Sequence, residues 1–406
     1  MTEAPTAARR PTETSARHFA MAVFALAVGG FAIGTTEFVT MGVLPQVADG
    51  VGVRESTAGH LISAYALGVV VGVPVLSFMV ARLPRRGLLI GLMATYALFN
   101  LLSAVATGYH MLAVARFLAG LPHGAYFGVA SLVAAGLADP RHKGRAVATV
   151  MLGLSVANVV GVPAATWLGQ NVGWRATYAA SAGLALLTVL LVRAFVPATP
   201  GDPHTSGRGE ARTFFTNPQV WLTMAAGAIG FGGMFAVYSY IAPLVTDVAG
   251  LADGTVPWFV LAFGAGMVVG TWFAGELARW SVFRSLLIGG GGMAVALLAY
   301  WLIAPHGWWL WPITFVMSAI SSVLVVNLQL RLMDVAGDAV TLGAAMNHAA
   351  LNVANAVGAF LGGLALDAWS ARATTLVGAT LSVAGLLVLL WSGVLHRRTP
   401  TPRPAR

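Results

Sequence analysis

The chain has 406 residues, of which 58% are hydrophobic and only 9% are charged, with a mean hydropathy of +0.80. Soluble domains carry about 25% charged residues, so this composition excludes a soluble protein and predicts one that crosses a membrane many times. The 48 glycines suit membrane helices that pack closely through small residues. The absence of cysteine excludes disulfides, thiolate metal sites and cysteine nucleophiles.

The amino-terminal segment superficially resembles a signal peptide, because Arg9, Arg10 and Arg17 precede an apolar stretch. That stretch is long enough to cross a bilayer, many similar stretches follow it, and no credible cleavage site separates them. We therefore interpret it as the first membrane helix, preceded by a tail that stays on the protein.

Apolar runs in chain order predict an all-α membrane protein of twelve helices in two six-helix bundles. The first six runs lie near 19–44, 57–80, 87–107, 109–137, 146–169 and 174–196, and the second six near 219–245, 256–278, 285–304, 308–330, 342–366 and 373–395. Between them, a stretch rich in proline, glycine and charge predicts a linker. The predicted organisation is a tail (1–17), a bundle (18–196), a linker (197–218), a second bundle (219–396) and a second tail (397–406).

The basic residues indicate how these helices are oriented. With both termini in the cytoplasm, the inner segments hold 19 of the 23 Lys and Arg residues, the outer loops hold three, and Arg116 lies inside a helix. Positive charge collects on the cytoplasmic side of membrane proteins. The net charge of +9 is thus an orientation signal and not a sign of nucleic-acid binding. We predict a multi-pass protein of the cell (inner) membrane, with both termini and the linker in the cytoplasm.

The two halves are related in sequence. A shift of 198 residues aligns AYALGVVVG (64–72) with AFGAGMVVG (262–270), and a shift of 197 aligns LSVANVVG (154–161) with LNVANAVG (351–358). Such matches in the same order predict parallel repeats. Small or amide residues at equivalent places are expected to pack helices or form symmetric interhelical hydrogen bonds: Gly68, Gly72, Asn158, Gly266, Gly270 and Asn355.

Glu37 and Arg116 are charged residues inside otherwise apolar runs. A charge near the bilayer centre costs roughly 2.5–3.5 kcal/mol, so such residues usually face a cavity or a partner. Both lie about 10 Å from the same membrane face, at 1.5 Å per residue, which makes a pair possible. A change in their separation would alter how readily the acid binds a proton. The alternative is a static buried ion pair that only orders the helices.

Weaker signals surround these two charges. His123 lies seven residues after Arg116 on the same helix face, where it could relay protons or be a structural histidine. A pocket between the bundles is predicted to bind substrate through one acid and several aromatic or polar groups: Glu37, Tyr126, Phe235, Tyr238, His348 and Asn352.

Nothing in the sequence predicts an enzyme. The only lysine, Lys143, precedes Gly144, whereas a phosphate-binding P-loop requires Gly-Lys followed by Ser or Thr. The loops are too short for a soluble catalytic domain. We expect no metal or other cofactor, and transport energy from an ion gradient or from the substrate's own gradient.

Three stretches resemble the major facilitator superfamily. GTTEFVTMGVLPQVADGVGV (34–53) resembles the first-helix signature of its drug/proton antiporters, in particular the branch of chloramphenicol-resistance and sugar-efflux exporters. RFLAGLPHG (116–124) is similar to their fourth-helix motif, with the basic residue at Arg116. GLSVANVVGVPAATWLGQ (153–170) resembles the fifth-helix antiporter motif, which includes Gly161 and Pro163.

The sequence departs from the family pattern at two places. Val162 stands before Pro163 where the motif prefers glycine. In the loop after the second helix, the superfamily usually has Gly, Asp and Gly at three positions where this chain has Ser77, Ala81 and Pro84. The gating acid of the superfamily therefore has no counterpart here.

The resemblance implies a proton-coupled secondary exporter that works by alternating access. The apolar and aromatic groups of the predicted pocket suit small amphipathic drugs or metabolites, and we expect a monomer in the lipid bilayer. Amphenicol-type antibiotics are among the candidate substrates. One alternative is an exporter of sugars or sugar derivatives. Another is a facilitative transporter or sensor without proton coupling.

Overall fold

A computed structural model describes residues 13–80, 83–139, 143–198, 214–337 and 340–398. Most of the predicted linker and of both tails lies outside these ranges, as does Arg82. The described residues form helices and connecting turns, without a strand. Among the described residues, eleven helical stretches are long and apolar enough to cross a membrane, and the longest of these, Asp253–Ile303, has 51 residues, enough for two crossings.

The first half of the molecule contains helices α1 to α6. Five of them are continuous: α1 (Glu13–Gly42), α2 (Glu55–Val80), α3 (Arg85–Ala104), α4 (Tyr109–Leu137) and α6 (Trp174–Phe195). Helix α5 has three parts, namely Lys143–Val156, a π-helical segment Ala157–Gly161, and Val162–Asn171. A short helix, Leu44–Val51, follows α1 and has proline in its first turn, where the missing N–H costs nothing.

The second half contains α7 to α12. Helix α7 consists of Pro218–Gly230 and Gly232–Tyr238, and the last three helices are α10 (Leu310–Val335), α11 (Val340–Ala368) and α12 (Ala373–Arg398). The stretch Val256–Ile303 is divided at Ser281, whose extended backbone separates α8 (256–280) from α9 (282–303). The predicted fold class of twelve membrane helices in two pseudo-symmetric bundles is thereby confirmed.

Close backbone contacts repeat in the two halves. A Cβ atom at Gly72 of α2 would overlap the carbonyl of Leu121 in α4, and one at Gly270 of α8 would overlap the carbonyl of Ala319 in α10. One turn earlier on each helix, Gly68 lies similarly close to the carbonyl of Phe117, and Gly266 to the carbonyl of Phe315. The repeats therefore use the same close helix pairs, second with fourth and eighth with tenth.

The halves meet along two seams, and the first joins α2 to α11. Ser63 Oγ donates a hydrogen bond to the carbonyl of Ala356 at 2.9 Å. Nearer the end of the helices, Arg54 Nη1 lies 2.7 Å from Asp367 Oδ1. The described chain begins and ends at one membrane face, which we call the terminal face. The Arg54–Asp367 pair lies at the other membrane face, which we call the opposite face.

The second seam joins α5 to α8. Gly264 packs so closely against the carbonyl of Asn158 that a Cβ atom there would overlap it. At the opposite face, Gln170 Nε2 donates to the carbonyl of Asp253 at 3.0 Å. Because both seams carry hydrogen bonds or ion pairs near the opposite face, the halves are joined on that side in this structure.

Candidate functional site

Glu37 lies in α1 where the two halves meet. Its side chain is only 7% exposed, and within the described residues no hydrogen bond or ion pair reaches its carboxyl group. The neighbouring Phe38 packs against α7 of the second half, with ring centroids 6.4 Å from Phe235 and 6.1 Å from Tyr238. A protonatable group without a fixed partner is thus placed next to the interface that must rearrange if the halves move.

Arg116 is fully buried in α4 and held by rings. Its guanidinium carbon lies 4.3 Å from the ring centroid of Tyr65 and 5.2 Å from that of Tyr178. Its Nη2 donates to the carbonyl of Thr36 at 3.4 Å, while Nε and Nη1 have no hydrogen-bond partner. Cation–π contacts of this kind contribute about 0.5–2 kcal/mol each, so the rings stabilise the buried charge in part.

The structure brings the two predicted charges together without pairing them directly. Arg116 bonds to the residue that precedes Glu37, and its charge acts on Glu37. Among the described residues, no ion pair of 4.0 Å or less joins the two. The direct pair considered from the sequence is therefore not formed in this state. Two nitrogens of Arg116, Nε and Nη1, are available to donate to an acceptor that approaches.

His123 belongs to the same polar group. Its Nδ1 lies 3.0 Å from the hydroxyl of Tyr65, which in turn lies 3.1 Å from the hydroxyl of Tyr96. Tyr65 therefore touches Arg116 through its ring face and His123 through its hydroxyl. We call Glu37, Arg116, Tyr65, Tyr96 and His123 the central polar cluster.

The predicted substrate residues are dispersed. Tyr126 is buried between α4 and α1, where its hydroxyl donates to the carbonyl of Leu26 at 2.8 Å. Tyr238 stacks on Phe263 with ring centroids 3.7 Å apart, within the second half. These tyrosine rings are packing groups in this structure, and only Phe235 and Tyr238, through Phe38, lie beside Glu37.

The polar residues of α11 lie on the terminal side of the cluster. His348 is partly exposed, and its ring stacks on Phe127 of α4 with centroids 5.9 Å apart. Asn352 is buried, and its amide donates to the carbonyl of His348 at 3.0 Å. The stack of Phe127 and His348 is a contact between the two halves close to His123, whose ring centroid is 5.5 Å from that of Phe127.

The repeat-related asparagines do not form the interhelical hydrogen bonds considered from the sequence. The Asn158 amide donates within its own helix, to the carbonyl of Leu154 at 3.0 Å, and its oxygen has no partner. Neither side-chain atom of the buried Asn355 has a hydrogen-bond partner.

The stretch of α5 that resembles the antiporter motif (153–170) alters the local helix geometry. Pro163 has no N–H to donate to the carbonyl four residues earlier, and the helix widens into a π-helical segment that ends two residues before it, at Gly161. Gly161 ends that segment facing α1, where a Cβ atom would overlap Thr35. The motif thus shapes the contact between α5 and the helix that carries Glu37.

A cavity of about 590 Å³ lies beside α1 and α5. Its lining is apolar except for one threonine, and it consists of Phe19, Ala20, Val23, Phe24, Ala27, Val28, Phe31, Ala146, Thr149, Leu152, Gly153 and Val156. None of the predicted substrate residues lines it. The sequence does not reveal this surface, because apolar residues on membrane helices give no sign of whether they face lipid or a cavity.

The tyrosines around Arg116 are not among the residues predicted from the sequence. Tyr65 and Tyr96 are fully buried. Their position in apolar runs of the sequence is a usable signal of a polar contact, because a buried hydroxyl needs a hydrogen-bond partner. The sequence alone could not show that the partner is His123, since that depends on how α2 is rotated against α4.

Comparisons with known proteins agree with this architecture. The model of the Major Facilitator Superfamily matches residues 26–347. The chain is 38% identical to "Inner membrane transport protein YdhP" of Escherichia coli K12, over 91% of this chain and 94% of that protein. It is 34% identical to a "Chloramphenicol resistance protein" of Streptomyces lividans, over 83% of this chain and 86% of that protein.

A solved structure shares the fold. The crystal structure of a bacterial homologue of the human lysosomal transporter Spinster aligns with a TM-score of 0.73, at 13% identity, over 93% of this chain and 96% of that one. The resemblance seen in the motifs is confirmed by the family match. These findings make the protein a multi-pass membrane transporter and not an enzyme. The chain belongs to the major facilitator superfamily.

Proposed function

We propose that this transporter is a proton-coupled exporter of small amphipathic drugs or metabolites, with amphenicol-type antibiotics as the first candidates. The observation that carries the proposal is the buried carboxyl group of Glu37, which has no fixed partner and lies within the field of Arg116. A carboxyl group kept inside a membrane protein at a cost of roughly 2.5–3.5 kcal/mol is usually functional.

In the proposed cycle, Glu37 binds a proton when the opposite face is open and releases it when the terminal face is open. Arg116 favours release when it approaches the acid, because an opposite charge favours the ionised form. Its unpaired Nε and Nη1 groups are the donors that such an approach would use. Substrate would leave as the proton enters, so that the proton gradient drives export.

The aromatic side chains beside Glu37, namely Phe38, Phe235 and Tyr238, support an amphipathic substrate. Sugars usually require several hydrogen-bonding side chains, and these three residues offer one hydroxyl group. The "Chloramphenicol resistance protein" of the same superfamily supports the amphenicol candidates. Sugar export, and facilitative transport or sensing without proton coupling, remain the alternatives that the experiment separates.

The test is chloramphenicol uptake into everted membrane vesicles with an imposed pH gradient, acidic inside. The wild-type protein should accumulate chloramphenicol, and a protonophore should abolish accumulation. Glu37→Gln keeps the shape of the side chain but cannot ionise, so it should reach the membrane in normal amounts yet lose accumulation. Wild-type accumulation by this variant would show that Glu37 is structural. Accumulation of labelled sugars and not of chloramphenicol would favour the sugar alternative, and equilibration that ignores the protonophore would favour facilitative transport.

We also propose that both termini and the linker are cytoplasmic, because 19 of the 23 basic residues fall on that side. Fusions of alkaline phosphatase after residue 50 should be active, since this enzyme folds only outside the cytoplasm. Fusions within 197–218 should be inactive and should give activity with a cytoplasmic reporter instead. Phosphatase activity from the linker would reverse the orientation.

A further inference from the structure

The central polar cluster contains more hydrogen-bonding groups than a Glu–Arg switch requires. Tyr65 is the point where they connect. Its ring face supports the Arg116 guanidinium at 4.3 Å, and its hydroxyl lies 3.0 Å from His123 Nδ1 and 3.1 Å from the Tyr96 hydroxyl. All of these side chains are 1% exposed or less, so the contacts are sheltered from bulk water.

The hydrogen-bonded groups are ordered along the membrane normal. Helix α4 runs from the opposite face to the terminal face, and His123 lies about 10 Å further along it than Arg116, at 1.5 Å per residue. Beyond His123, Phe127 contacts His348 of α11, which is partly exposed. The groups therefore lead from the depth of Glu37 toward the terminal face.

Glu37 is near the start of this series. The Tyr96 hydroxyl lies 3.5 Å from the carbonyl oxygen of Ile33, one turn before Glu37 on α1. Among the described residues, no hydrogen bond joins the acid to either hydroxyl, so this link requires intervening water or a rotation of the acid side chain. The titratable groups that face His123 from other helices are Tyr65 of α2 and His348 of α11.

We propose that Tyr65 and His123 form the path by which the Glu37 proton leaves toward the terminal face. This inference rests on the proposed function. As the carboxylic acid gives up its proton, the Tyr65 hydroxyl accepts one and donates its own to His123 Nδ1, while His123 Nε2 releases a proton to the water that enters when the terminal face opens. One proton moves in total, Tyr65 is unchanged, and the imidazole stays neutral with its hydrogen on Nδ1. The reverse tautomer change resets it.

The path makes a prediction that a structural role does not. Tyr65→Phe keeps the ring under Arg116 but removes the hydroxyl, and His123→Gln keeps a polar side chain that cannot relay a proton. Each should slow proton-driven chloramphenicol accumulation by about tenfold or more, since proton-transfer groups contribute roughly 10²–10⁴ in rate. Exchange of labelled for unlabelled chloramphenicol at equal pH, which needs no net proton movement, should stay within about twofold of the wild type.

A matched control is available in the second half. Tyr300 is also fully buried, and its hydroxyl lies 3.1 Å from Thr314 Oγ1, so Tyr300→Phe removes a comparable hydrogen bond far from Glu37. This variant should keep both activities. The double variant Tyr65→Phe/His123→Gln should be no slower than the slower single variant, because both changes interrupt one path.

The outcomes separate this proposal from the proposed function. Proton-driven accumulation at the wild-type rate in Tyr65→Phe, or an equal loss of accumulation and exchange, would overturn the path while leaving the role of Glu37 intact. Retained accumulation in Glu37→Gln would overturn the proposed function itself, and the path with it. Loss of accumulation with retained exchange in both single variants supports the path.

Discussion

Arg116 shows how a buried charge can be kept without a salt bridge. The side chain is fully buried, yet its closest polar contact is a 3.4 Å hydrogen bond to a backbone carbonyl, and two of its nitrogens have no partner. Two tyrosine rings supply the remaining electrostatic support. Unsatisfied buried donors are costly, so this arrangement is maintained by the surrounding helices and leaves Arg116 ready to bind an anion.

Arg116→Lys tests whether the flat, ring-supported guanidinium matters beyond its charge. Lysine keeps the charge but presents a compact ammonium group, so the contacts with Tyr65 and Tyr178 should weaken by about 0.5–2 kcal/mol. Proton-driven chloramphenicol accumulation should fall by about two- to thirtyfold. Arg175→Lys is the matched control, because Arg175 lies 4.2 Å over the Trp174 ring near the membrane face. Equal rates in the two variants would show that only the charge at residue 116 counts.

For single residues, the sequence shows which charged groups lie inside membrane helices, but it does not show which groups they contact. Glu37 and Arg116 stand out because ionisable groups are rare in apolar runs. The link from His123 to Tyr65 joins residues 58 positions apart in the chain, and it depends on helix rotation that local sequence does not specify. The direct Glu37–Arg116 pair was a reasonable expectation from depth alone, but equal depth does not fix the side-chain directions.

The helices themselves follow from the apolar runs. The third run, near 87–107, corresponds to α3 at Arg85–Ala104, and the sixth, near 174–196, corresponds to α6 at Trp174–Phe195. Membrane helices are predictable because each must bury a full set of backbone hydrogen bonds over the bilayer thickness. The π-helical segment of α5 and the interruption of α7 near Phe231 were not predicted, because they depend on contacts with neighbouring helices.

Gly72 and Gly270 allow a test of the predicted small-residue packing. Leucine at either position would collide with a backbone carbonyl of the partner helix, which cannot move aside as a side chain can. Overpacking of this kind costs about 1–3 kcal/mol, so each variant should give clearly less folded protein by size-exclusion chromatography after detergent extraction. Gly275→Leu lies on the same helix as Gly270 with open space around it and should behave like the wild type. Normal yields of Gly72→Leu and Gly270→Leu would refute the packing role.

The whole molecule is a pair of bundles whose contacts across the seams are short and local. The Arg54–Asp367 pair has a short distance of 2.7 Å, but its arginine side chain is 74% exposed. Exposed pairs contribute about 0–1 kcal/mol, so this one cannot hold the opposite face closed by itself. Closure there depends on the sum of several contacts, including the Ser63 hydrogen bond and the close approach of Gly264 to α5. A sum of weak contacts can be exchanged for another set when the halves rock.

The absence of native cysteine makes the seam directly testable. In the double variant Arg54→Cys/Asp367→Cys, a short thiol cross-linker that reductant cleaves should join α2 to α11 and fix the opposite face closed. Chloramphenicol accumulation should then stop, and reduction should restore it. The control Glu276→Cys/Arg279→Cys replaces an exposed ion pair within α8, three residues apart, so its cross-link spans no seam and should leave transport unchanged. Export that continues in fully cross-linked Arg54→Cys/Asp367→Cys protein would mean that this seam does not open during transport, and that substrate leaves by a route that the two bundles do not gate.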